Sequence, residues 1–352
     1  MLRTPRKERL PFMKKLLLLL FAITLSVFTG MLYFGVLPAR LHDIFDRHAP
    51  MPVTQVVHGI GGVREFFSPY QPLAVAQTDI LSEKLTPLPS GIAERELHYI
   101  TRQVLYGALA AQEDITIPAT LPPGDYNEVT EYLMSKVELA VDIIRRDIPE
   151  IFWLSLGAFG IEWSGNMTTR EGVLTVRLTY RHTPEQIQGL RTQINRVVQN
   201  VLDTAPSDTL GKITHFHDWV VTGTTYACYV LVDLTSQGQH AFNIDGVFLR
   251  GSAVCEGYSK AFALLCNLAG IPNVIVYGVA GGENHSWNYV YLEGQWYLID
   301  PTWNSPIGEE NILLHTFFLL GSHSMVGDLP VYQIFTPDSA EYPSLSPTGF
   351  FS

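Results

Sequence analysis

Apolar residues recur at spacings of three and four from Ala93 onward. Leu97, Ile100, Val104, Leu105, Ala108 and Leu109 form one stripe, the period of a helix with one buried face. Thr116 to Tyr126 reads as a Pro-Gly break. Val129 to Ile148 then predicts a second amphipathic helix, with Leu133, Val137, Ala140, Val141 and Ile144 on one face. Ile151 to Phe159 is an apolar stretch predicted to be a strand. Gly172 to Tyr180 alternates, with Leu174, Val176, Leu178 and Tyr180 on one side and Val173, Thr175, Arg177 and Thr179 on the other, the mark of a half-buried strand. Thr183 to Leu202 returns to helical spacing (Ile187, Leu190, Ile194, Val197, Val198, Val201). Pro184 lies just inside its start, where a missing N–H costs little. Ser207 to Val221 predicts a further helix with Leu210, Ile213, Phe216 and Val220 inward.

The flanks have a different texture. Leu16 to Val36 is uncharged over 21 residues, enough helix to cross about 30 Å of hydrocarbon. Arg3, Arg6, Lys7, Arg9, Lys14 and Lys15 precede it, against one acid, Glu8, so the N-terminus is expected inside and the rest of the chain outside. This segment is read as a retained anchor, with a cleaved signal sequence as the competing reading; a start at Met13 would favour the latter. Residues 37–90 hold seven prolines and no sustained period, as in a stalk or linker. The expected order is a basic tail (1–15), anchor or signal (16–36), Pro-rich linker (37–90), an α+β subdomain (91–205) and a catalytic domain (206–352). The net charge of −11, with the basic residues concentrated in the tail, leaves an acidic body. That argues against nucleic acid as partner.

Three short strings carry the chemistry. Gly251-Ser252-Ala253-Val254-Cys255-Glu256-Gly257-Tyr258-Ser259 precedes a helical stripe (Ala261, Phe262, Leu264, Leu265, Leu268) that Gly270 and Pro272 close. Ser252 reads as the N-cap, which puts Cys255 in the first turn. There the positive end of the helix dipole favours a thiolate, and backbone N–H groups are free to hold an oxyanion. His285 to Leu292 and Gln295 to Asp300 read as a hairpin about Glu293-Gly294. In that register Leu292 faces Gln295, Trp287 faces Asp300 and His285 faces Thr302. His285 and Asp300 are then diagonal neighbours on one face, close enough for the carboxylate to orient the imidazole and leave the other ring nitrogen for Cys255. A slip of one residue would separate them.

Val254-Cys255-Glu256-Gly257-Tyr258-Ser259, His285-Ser286-Trp287-Asn288 and Trp296-Tyr297-Leu298-Ile299-Asp300-Pro301-Thr302-Trp303 together resemble the core of the transglutaminase-like superfamily. The spacing of 30 and then 15 residues suits its bacterial members. Ile213 to Tyr226 resembles the helix and strand before the nucleophile, and Asp147 to Trp153 a string in exported Gram-positive members. The likeness implies an α+β fold with a papain-like core, a thiol-bearing helix packed on an antiparallel sheet. It also implies Cys255, His285 and Asp300 as catalytic residues. The expected activity is thioester formation on an amide bond of a protein or peptide, followed by transfer to water or an amine. The alternative is a scaffold module of the cell envelope on the same fold, with the three residues misassembled or blocked.

Other residues take plainer readings. His215 and His217 diverge by about 200° on a helix, a poor pair for one metal, and neither a metal nor a cofactor is expected. Gln239 and Asn243 lie upstream as possible oxyanion donors and are read as loop residues. Cys228 and Cys266 are read as small buried hydrophobes, with a disulfide between them as the alternative. Trp287, Trp296, Tyr297 and Trp303 are read mainly as sheet packing. Leu313 to Ser352 is expected to close the core.

Overall fold

The structure, a computed structural model, describes residues 92–155, 159–231, 238–305, 313–340 and 342–351. The basic tail, the apolar segment 16–36 and the Pro-rich stretch to 90 lie outside them. Among the described residues no helix is long and apolar enough to cross a membrane.

The first helix, α1 (Ile92–Leu109), buries Leu97, Ile100, Val104, Leu105 and Ala108, the stripe that its spacing predicts. The expected break is only partly one: β1 (Asp114–Thr120) occupies its first half. Pro118 within it is tolerated because β1 is an edge strand, where a missing N–H costs no ladder bond. After it, α2 (Tyr126–Asp147) begins at a capping box: Asp125 accepts from the Glu128 N–H while Glu128 returns to the Asp125 N–H. Its buried face includes all five expected residues.

The described residues of Ile151 to Phe159 do not form the expected strand. They form a turn, with one isolated bridge from Leu154 to Tyr180. The stretch is apolar because Phe152 and Trp153 are fully buried in a turn, where the Trp153 Nε1–H donates to the Ala108 carbonyl at 2.9 Å. The polar strand β2 (Gly160–Asn166) was not anticipated. It pairs with β3 (Glu171–Arg177), which also pairs with β1, giving a three-stranded antiparallel sheet in the order β1-β3-β2. Leu174 and Val176 point into the core from the central strand, as the alternation requires. Next come α3 (Pro184–Asp203), capped by Thr183 with Pro184 in its first turn, and α4 (Thr209–Gly223), capped by Asp208.

The second half builds the larger sheet. After the two-residue β4 (Thr225–Tyr226) and short 3₁₀ turns at Cys228–Leu231 and Gln239–Phe242 come α5 (Ile244–Arg250), β5 (Ser252–Ala253) and α6 (Cys255–Leu268). Strands β6 (Asn273–Ala280), β7 (Glu283–Leu292), β8 (Gln295–Ile299) and β9 (Phe318–Leu320) follow. The short pair β10 (Met325–Val326) and β11 (Leu329–Pro330), the turn of helix α7 (Val331–Ile334) and β12 (Phe335–Pro337) complete the chain. The sheet is antiparallel in the order β12-β6-β7-β8-β9. The C-terminal segment therefore does close the fold, supplying both edge strands.

The sheet is covered on both faces. Val290, Leu292 and Ile299 join Tyr258, Phe262 and Leu265 of α6 in the main core, which also holds the buried faces of α1 to α4. Val276, Trp287, Tyr289 and Leu298 pack on Val331, Phe335 and Tyr342 in a second cluster. This arrangement is an α+β fold with a thiol-bearing helix laid on an antiparallel sheet.

Candidate functional site

Cys255 is the first residue of α6, and Val254 holds the N-cap position in extended conformation with no side-chain cap. The expected cap, Ser252, lies two residues too early. Gly251 ends α5 in the left-handed region at φ 58°, and Ser252-Ala253 then pair in parallel with Thr225-Tyr226. The correction places Cys255 at the very start of the helix, where the field of the uncapped peptide dipoles is strongest. Two contacts fix that start. The Val254 N–H donates to the Ala241 carbonyl at 2.9 Å. Gly257 packs so closely on the 239–242 turn that a Cβ there would lie 2.5 Å from the Ala241 oxygen. At the far end the Gly270 N–H bonds Asn267 and the Ile271 N–H bonds Cys266, with Gly270 at φ 72°, a Schellman close.

The hairpin has the expected register: Leu292 pairs with Gln295, Tyr291 with Trp296 and Asn288 with Ile299. Glu293 and Gly294 both have positive φ, 48° and 87°, as a type I′ turn demands. The ladder stops at Ile299, and the chain turns at Asp300. The diagonal relation survives that turn: His285 Nε2 and Asp300 Oδ2 are 2.7 Å apart. The other carboxylate oxygen, Oδ1, accepts the N–H groups of Thr302 (3.0 Å) and Trp303 (3.1 Å). Asp300 is fully buried, and its side chain is held from both sides. The Cys255 side chain lies near enough to the His285 ring to help raise its pKa, and with Nε2 engaged by Asp300 the remaining ring nitrogen is Nδ1. The structure thus joins His285 to Asp300, with Cys255 at the helix start influencing the same ring.

Burial pulls the His285 pKa down, but the Asp300 carboxylate, through charge and hydrogen bond, and then Cys255 outweigh it and raise it to about 10. A free imidazole titrates near 6.5. The interaction therefore contributes its full stability below about pH 6.5 and loses it as pH rises through about 10. Trp303 covers the ring, with centroids 5.0 Å apart and planes 22° apart. Trp287 and Tyr297 are buried in packing as expected, whereas Trp303 belongs to the site.

A polar seam that the sequence reading did not single out joins helix to sheet. Asn288 Nδ2 donates to the Ser259 carbonyl at 3.1 Å, and the Ser259 and Ser286 hydroxyls are 3.3 Å apart, all of it buried. These bonds fix α6 against β7, and so Cys255 against His285. Asn243 and Gln239, the two possible oxyanion donors, make other contacts. Asn243 Nδ2 bonds the Gln239 carbonyl (3.0 Å) and its Oδ1 accepts from Lys260 Nζ (3.3 Å). Gln239 Oε1 lies 3.4 Å from the Ser155 hydroxyl. All three cysteines are free thiols. Cys266 is buried as expected, and burial pushes its thiol pKa up. Cys228 is exposed, not a buried hydrophobe, because it opens a surface 3₁₀ turn.

His215 and His217 diverge as expected. His215 Nε2 reaches the Val201 carbonyl and Thr204 Oγ1. His217, Asp218 and His315 bring one ligand-type atom each within 4.8 Å of one another. The hydrogen bonds oppose a metal there. The Phe317 N–H donates to Asn304 Oδ1 at 2.9 Å, so Asn304 turns its NH₂ toward His217 Nε2, 2.9 Å away. Nε2 must accept, Nδ1 carries the proton, and Nδ1–H donates to Asp218 Oδ1 at 2.8 Å. A protonated nitrogen has no lone pair for a cation.

Residues 195–301 match the family model of the transglutaminase-like superfamily. The chain therefore carries a transglutaminase-like domain that includes all three candidate residues. It is 25% identical to the kyphoscoliosis peptidase of Mus musculus over 170 residues, 45% of this chain and 25% of that protein. It thus spans about a quarter of the length of that relative. Among solved structures it is similar to a TGase (19% identity, 54% of this chain and 52% of that one, TM-score 0.30). It is also similar to a cysteine protease described as putative from Cytophaga hutchinsonii (15% identity, 41% and 62%, TM-score 0.26).

Proposed function

We propose that this protein is a cysteine-nucleophile acyl-transfer enzyme acting on amide bonds of proteins or peptides through Cys255, His285 and Asp300. The reading rests on one observation above all: the His285 ring is bonded through Nε2 to buried Asp300 at 2.7 Å, which leaves Nδ1 for a thiol carried at the first position of α6. In the first step the Cys255 proton resides on His285, and the thiolate attacks the substrate carbonyl carbon. The tetrahedral oxyanion is met by backbone N–H groups at the start of α6. The C–N bond then breaks, and the leaving amine takes the proton from the imidazolium, which leaves a Cys255 thioester. In the second step water or an amine attacks the thioester, His285 removes its proton, and the thiol is released. Asp300 holds the ring and stabilises its cationic form without being protonated itself. The word peptidase in the mouse relative's name agrees with amide cleavage.

The reading is tested with a p-nitrophenyl ester as acyl donor. Mass spectrometry of the quenched protein is expected to find the acyl group on Cys255, labile to hydroxylamine, and to lose it in His285→Ala. Acylation confined to Cys228 or to lysines would contradict the assignment. Release of the acyl group into water against an added primary amine then tells hydrolysis from transamidation.

A further inference from the structure

Asn304 and His217 lie outside the reacting atoms, yet they control the turn that carries two of the site's groups. The Asn304 N–H donates to the Asp300 carbonyl at 3.2 Å, and its own carbonyl accepts from Leu314. Its side-chain oxygen accepts the Phe317 N–H, while the Phe317 carbonyl accepts the Asp300 N–H at 2.9 Å. Phe317 thus bonds both ends of the Asp300-to-Asn304 turn, and Asn304 closes that ring of bonds. The turn presents the Thr302 and Trp303 N–H groups to Asp300 Oδ1 and lays the Trp303 ring on His285. The NH₂ group of the buried Asn304 amide remains, and it donates to His217 Nε2 from α4. His217 is fully buried, and its tautomer is fixed from the other side by Asp218, which also accepts from His315 Nε2 at 2.7 Å.

We propose that Asn304 is a positioning residue for the Asp300–His285 pair and that His217 serves it as a neutral, tautomer-locked acceptor. The inference rests on the reading of Cys255 as nucleophile and adds to it how the carboxylate is aimed. Two physical points support it. A neutral ring is the only form of His217 that accepts from Asn304, since a second ring proton would face the NH₂ group. Burial, the largest influence on His217, likewise pulls its pKa down, further than Asp218 and Asp300 raise it, with His315 also lowering it. The pairing also joins residues 87 positions apart, so α4 braces the turn beside Asp300.

The test is the rate of Cys255 alkylation by iodoacetamide against pH, in the full chain with Cys228→Ser to remove the exposed thiol. Asn304→Ala is expected to slow alkylation at pH 6.5 about tenfold and to shift the profile toward higher pH, because a loosened Asp300 holds the His285 proton less well. His217→Leu should do the same. His217→Gln should stay within about twofold of the parent, since its Oε1 takes the place of Nε2 as acceptor. A folded Asn304→Ala protein with the parent's pH profile would overturn the proposal and leave the nucleophile assignment standing. A parent Cys255 that reacts no faster than a free peptide thiol would overturn both. Should the alanine variant fail to fold, nitrogen-15 histidine NMR of the parent decides. His217 is expected to be the Nδ1–H tautomer and neutral from pH 5.5 to 8, and an Nε2–H or cationic ring would refute the proposal.

Discussion

Cys255→Ala is expected to lower kcat/KM by a factor on the order of 10⁴ to 10⁶, the scale seen when a covalent nucleophile is removed. The fold should be unaffected. Cys255 is half-buried at the first position of α6, its side chain fills no core position, and alanine is the best helix former. What the variant loses is the only one of three thiols with the required surroundings. Cys266 is buried among apolar side chains with its pKa raised by that burial, and a thiol so placed is inert. Cys228 is exposed, so its removal is the matching control and should leave turnover within about twofold. Steady-state kinetics with circular dichroism on the same samples checks both. Retention of more than a tenth of the activity in Cys255→Ala would place the nucleophile elsewhere.

Asp300→Asn should cost about 10³- to 10⁴-fold in kcat, the scale known for an orienting carboxylate replaced by its amide, with little change in KM. The direction comes from the hydrogen bonds. The Thr302 and Trp303 N–H groups both donate to Oδ1, so in the variant they fix the amide oxygen there and turn the NH₂ group toward His285 Nε2. That nitrogen must then accept, and the ring proton moves to Nδ1, facing Cys255. A ring in this tautomer has no lone pair for the thiol proton. The same substitution removes the charge that, against burial, raises the His285 pKa to about 10. The alkaline limb of the pH profile should accordingly move to lower pH. Activity within tenfold of the parent would mean that Asp300 anchors the turn without directing the ring.

The parts of this molecule legible in the sequence are those where one residue pattern has one physical solution. The faces of α1, α2 and α3 follow from their three-four spacing, and β3 follows from alternation because it is central and half-buried. The edge strands β1 and β2 were not readable. Pro118 resembles a break until the strand is known to lie at an edge, and β2 is mostly exposed, with few apolar positions to alternate. Ile151 to Phe159 failed for the opposite reason, since burial alone makes a stretch apolar whether it is a strand or a turn. In the site, the two-residue Glu293-Gly294 loop left one register open, and that register brought His285 and Asp300 together. The cap of α6 was misplaced because Ser252 is a good capping residue committed to a bridge with Thr225. The Asn304–His217 bond could not be found from one sequence, as nothing local links two polar residues so far apart.

The central claim is that His285, aimed by Asp300, holds the proton of Cys255. The most direct measurement is the pH dependence of Cys255 alkylation by iodoacetamide in the Cys228→Ser background, with and without His285→Ala. An isolated thiol titrates near 8.5 and is only about 1% thiolate at pH 6.5. With His285 protonated up to about pH 10, the parent should react rapidly and almost independently of pH between 6 and 8. In His285→Ala the rate at pH 6.5 should fall about 10- to 100-fold and climb about tenfold per pH unit. Equal rates and equal profiles in the two proteins would contradict the account.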